Sequence, residues 1–106
     1  MNEDELAFHN AMVNVYLEAK KQCGYNATRF LQMVAERGGL ETARHLLAES
    51  ETQTGFEELW RHNRLDLSVE NLVLQEKWRG LFADDELRRA REMLLAHGFD
   101  PDTNSL

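Results

Sequence analysis

The stretch ERGGLETARHLLAES, residues 36–50, decides the fold. Upstream, Phe30, Leu31 and Val34 recur at helical spacing and predict a helix over about 27–36, which Gly38 and Gly39 stop. Downstream, Leu40, Ala43, Leu46 and Leu47 form one stripe of a second helix, about 40–49. The glycine pair turns the two helices sharply on one another, and neither is long enough to stand without packing partners. Gly38 is expected to take a left-handed C-cap conformation and Gly39 to let two helices approach closely. A corner of this kind belongs to an all-α bundle.

Towards the N-terminus, Asn2 is placed to cap a helix of about 3–22. Glu3, Asp4 and Glu5 face its positive end, Lys20 and Lys21 occupy its last turn, and Gly24 stops it. Towards the C-terminus, SETQT reads as a polar connection. Thr54 and Glu57 in TGFE form a capping box for a short helix of about 55–62. Ser68 caps another, about 69–75, with Leu72 and Val73 inward, and EKWRGLF continues as a one-turn segment around Gly80. Asp84 is expected to cap a final helix of about 85–97, its core face carried by Leu87, Ala90 and Leu94. His97, Gly98 and Phe99 would close it with a Schellman-like clasp. The expected architecture is a single bundle of five or six helices over residues 1–99, with 100–106 as a flexible tail. Scarce valine, no isoleucine and a lone proline at position 101 agree with helix throughout.

Nineteen acidic against twelve basic residues give a formal charge of -7, and no quarter of the chain is net basic. Such a surface gains little from counterion release at a phosphate backbone, so charge weighs against nucleic acid as a partner. Cys23 is the only cysteine, so no intramolecular disulfide and no paired-cysteine site can form. The acidic N-terminus is unlike a secretory signal, and no apolar run approaches the roughly 18 residues needed to cross a bilayer. These features predict a cytoplasmic protein with no membrane partner.

Four constellations bear on function. The corner resembles part of a helix-hairpin-helix element, in which exposed glycine amides grip a phosphate. Arg37, Gly38, Gly39 and Arg44 would form that site, although Arg37 stands where a first glycine belongs and Glu41 would bring a carboxylate near the phosphate. Against it stands the simpler reading of a structural turn. His9, His45, His62 and His97 invite a metal reading, with Glu41 and His45 one turn apart, but two ligands do not make a site. In LFADDELRRARE, acids then arginines complement the helix dipole and pair along one face. Finally, Trp60, Arg61, Arg64 and Trp78 are the residue types that most often anchor protein interfaces, if either indole is exposed instead of core. Signatures of hydrolases, phosphate loops and cofactor sites are absent, which predicts no catalysis, no cofactor and no small-molecule substrate.

The strings YNATRFLQMVAERGGLETARHLL, TGFEELWRHNRLDLSVENLVL and FADDELRRAR together resemble a widespread small bacterial all-helical domain of uncharacterised function, over about residues 25–99. The resemblance implies the helical fold and assigns no residue a role. Residues 1–24 lie outside it. By elimination, the sequence predicts a non-enzymatic interaction module or small regulator that binds a protein partner or a second copy of itself. The alternatives are nucleic-acid backbone binding at the corner, or an acidic inhibitor occupying a nucleic-acid site on a partner protein.

Overall fold

A computed structural model describes residues 2–49 and 54–102, apart from the side chain of Thr54. Residues 50–53 of the expected polar connection, the Thr54 half of the capping box and residues 103–106 therefore lie outside the described residues. Within them are seven α-helices, one 3-10 turn and no strand: α1 (Glu3–Cys23), α2 (Thr28–Arg37), α3 (Gly39–Ala48), α4 (Thr54–Arg61), the 3-10 turn (Leu65–Leu67), α5 (Val69–Val73), α6 (Glu76–Arg79) and α7 (Asp84–Ala96). The one-turn segment around EKWRGLF is α6.

Local chemistry sets most helix ends. The Asn2 side chain accepts from the Glu5 amide at 2.8 Å. Gly24 closes α1 in the left-handed region. There the Tyr25 amide reaches back to the Ala19 carbonyl at 3.3 Å. Ser68 caps α5, its hydroxyl accepting from the Asn71 amide at 3.2 Å. The clasp after α7 forms as expected: Gly98 has a φ of 80°, and the Phe99 and Gly98 amides bond to the Leu94 and Leu95 carbonyls at 2.9 and 3.1 Å.

Two expectations are corrected. Asp84 is the first residue of α7 and Ala83 occupies the cap, where only the Glu86 half of a capping box exists, its carboxylate accepting from the Ala83 amide at 2.9 Å. Gly38 has positive φ but extended ψ (85°, 159°), a region essentially reserved for glycine, instead of the left-handed helical one. After α7, Pro101 is buried and the Arg91 guanidinium pairs with Asp102 at 2.5 Å.

α3 is the hub, packed against α1, α2, α5 and α7. Its face of small residues, Gly39, Thr42 and Ala43 at helical spacing, is wholly buried. Around it gather the fully enclosed side chains of Phe8, Met12, Val34, Val73 and Leu94. Phe8 meets the rings of Trp78 and Phe82 edge-on, both at 5.4 Å between centroids, which joins α1 to the α6 turn. The Cα radius of gyration is 12.6 Å, about that of a folded domain of this length.

Candidate functional site

The corner of ERGGLETAR is occupied by the protein itself. The Gly39 N–H donates to His9 Nδ1 of α1 at 3.0 Å, and Gly38 N–H to the Val34 carbonyl at 2.9 Å. A side chain on residue 39 would meet the α1 backbone, since an added Cβ lies 2.6 Å from His9 Cα. Both glycine amides are thus engaged inside the fold, and Gly39 faces a helix instead of solvent. That α1 is the helix received by Gly39 was not legible in a sequence where His9 stands thirty residues away.

The arginines around the corner are spread among carboxylates. Arg44 pairs with Glu41 and Glu86, both at 3.7 Å, and donates to the Leu81 carbonyl at 3.1 Å. Arg88 pairs with Asp85 and with Glu92, which together hold its guanidinium above its ordinary pKa, and Arg89 pairs with Asp85 at 3.2 Å. Arg91 is held by Asp102, and Arg37 is exposed at the corner itself. The field at this face is mixed in sign.

The four candidate anchors separate. Trp78 is a core residue, 6% exposed against Phe8, so the structure removes it from any docking surface. Arg64 is taken up in a clasp. Its fork grips Asp66 at 3.0 and 3.1 Å, which raises its pKa, and it donates to Gln22 at 3.1 Å, tying the 3-10 turn to α1. Trp60 and Arg61, at the end of α4, remain outward. Trp60 is 49% exposed, and its ring stands edge-on to His97 at 4.9 Å, with Phe56 on the same imidazole at 4.8 Å. This contact brings the ends of α4 and α7 together, and Leu95 in the last turn of α7 is 51% exposed. The exposed Arg61 bonds loosely to the half-buried Glu58 at 3.4 Å.

The remaining histidines are also spoken for: His45 pairs with Glu49 at 3.3 Å, while His62 and His97 contact the carbonyls of Glu58 and Met93 at 2.9 and 2.8 Å.

A site that sequence reasoning missed lies on the other side of α4. A cavity of about 330 Å³ opens between α1, α2, α3, α4 and α5. Tyr16, Tyr25, Phe30 and Phe56 supply aromatic walls, Arg29, His45 and Glu49 polar ones, and Glu70 of α5 a buried carboxylate. Glu70 is 7% exposed. Burial pushes its pKa up to about 7, against weaker opposing effects of its own main-chain amide and of His97. Its other flank adjoins Arg89 and Glu92 of α7. A signal was present: Glu70 precedes the buried Val73 and Leu74 by three and four residues, which puts it on the core face of α5. As an acid in a helix first turn it reads equally well as dipole compensation, and that reading concealed it.

No protein family, curated protein or solved structure matches this chain. Among the described residues, no helix is long and apolar enough to cross a membrane.

Proposed function

We propose that the protein is a non-enzymatic helical interaction module that docks onto a protein partner through Trp60 and Arg61 at the end of α4. The observation that carries this reading is the half-exposed indole of Trp60 in a domain that buries its other tryptophan. An exposed tryptophan beside an exposed guanidinium is the pairing that most often concentrates interface energy. The edge-on contact with His97 favours one placement of the indole before binding, which lowers the ordering cost of association. Arg61, only loosely held by Glu58, is free to fork onto a carboxylate, so the surface fits a partner segment with an acidic residue next to an apolar one. Two observations weigh against the nucleic-acid reading: the Gly38 and Gly39 amides are used within the fold, and Arg44, Arg88 and Arg89 each have carboxylate partners.

The test is photo-crosslinking in cells from a benzophenone side chain at position 60. Binding of the identified partner is then measured with the wild type, Trp60→Ala and Arg61→Ala. Trp60→Ala should weaken the complex by about thirtyfold or more, as loss of an interface anchor does. Equal affinity for the wild type and Trp60→Ala would overturn the proposal. So would salt-sensitive binding to duplex DNA or RNA at about 50 mM salt with no protein captured.

A further inference from the structure

Glu70 is more than nine-tenths buried, and no side chain among the described residues donates a hydrogen bond to it. An ionised carboxylate in such a place is costly unless a cation meets it, and the protein supplies none in contact. Beside it is a cavity of about 330 Å³, at the small end of ligand pockets, whose walls include four aromatic rings. From these facts the geometry points to a binding site for a small organic amine, its ammonium seated on Glu70 and its apolar part between Tyr25, Phe30 and Phe56.

The buried carboxylate and the aromatic walls of the cavity suit that ligand, while Arg29, exposed in the same lining, is a wall of like charge and leaves the ammonium seat to Glu70. The ammonium would form a charge-assisted bond with Glu70, and aromatic faces attract cations further. Tyr16 donates its hydroxyl hydrogen to Asn26 at 2.6 Å, so its oxygen presents lone pairs to a donor. An anionic ligand would be drawn to Arg29 but would meet the carboxylates of Glu70 and Glu49, and His45 is already engaged by Glu49 at 3.3 Å. The carboxyl pKa raised to about 7 agrees with a group that lacks its cation.

The experiment uses the full chain and three isosteric probes, benzylamine, benzyl alcohol and benzoate, followed by two-dimensional NMR at about pH 8. Benzylamine should bind saturably, shift the signals of Tyr16, Tyr25, Phe56 and Glu70, and bind at least about tenfold more tightly than either other probe, the discrimination expected of one buried charge pair. Glu70→Gln, nearly identical in shape, should abolish that preference. The proposal is overturned if benzyl alcohol binds as tightly as benzylamine, if Glu70→Gln keeps the preference, or if no probe saturates below about 10 mM. The comparison among probes on the wild type stands even if the variant fails to fold. It is also independent of the Trp60 surface, so either proposal can fail alone.

Discussion

Replacing Gly39 with alanine asks what the glycine corner is for. The added methyl carbon would stand 2.6 Å from His9 Cα and 3.2 Å from both His9 N and Met12 Cγ. Carbon atoms in contact rest at about 3.5–4.0 Å, so α1 and α3 must part by about 1 Å. The nearest atom belongs to backbone, so no rotamer change relieves the clash, and Phe8 and Met12, both fully enclosed, would lose contact with it. Overpacking of this kind costs about 1–3 kcal/mol, and stretching the 3.0 Å bond from Gly39 N–H to His9 about 1 kcal/mol more. Alanine's preference for helix returns somewhat less than 1 kcal/mol. The net is a loss of about 1–3 kcal/mol. With an unfolding entropy of about 2.1 cal/mol/K per residue, this lowers Tm by roughly 5–15 °C in a chain of 106 residues. Thermal unfolding followed by circular dichroism measures it. Gly80→Ala is the control, because nothing lies within 4 Å of its Cβ position and its φ is -66°. That variant should match the wild type or gain up to about 1 kcal/mol. A Gly39→Ala protein that melts within about 3 °C of the wild type would refute the close helix contact as the reason for this glycine.

The two tryptophans should respond oppositely. Trp78→Ala opens a core cavity and should cost about 3–5 kcal/mol, whereas Trp60→Ala loses mainly an edge contact worth about 1 kcal/mol and should fold normally; denaturant titration compares them. Glu70 imposes a pH dependence whose sign follows from its pKa, which rises from 4.5 to about 7 on folding. The native state holds a proton that the unfolded chain has released, so its favourable contribution is complete below about pH 4.5, declines as pH rises, and is gone above about 7. At about 1.4 kcal/mol per pH unit the loss reaches at most about 3 kcal/mol. The stability of Glu70→Gln should therefore gain on the wild type across that interval and run parallel to it above, and a difference that is flat from pH 4 to 8 would refute a protonated Glu70.

The sequence by itself determined what depends on residues within one helical turn of each other. Asn2 and Ser68 cap because a short polar side chain can reach an amide three residues on. Gly24 and Gly98 end helices because they tolerate positive φ, and the stripe Leu40, Ala43, Leu47 follows from the helical period. Those signals sufficed for an all-α fold and for element boundaries within a residue or two. Only the tertiary structure decided which of two chemically identical indoles is covered, that Gly39 serves α1, that Arg64 reaches Gln22 across forty-two residues, and that Glu70 ends beside a cavity. The physical reason is that burial belongs to the meeting of elements distant in the chain. A carboxylate in a helix first turn has the same local energetics whether that turn faces water or another helix; its pKa and its use depend on what packs against it.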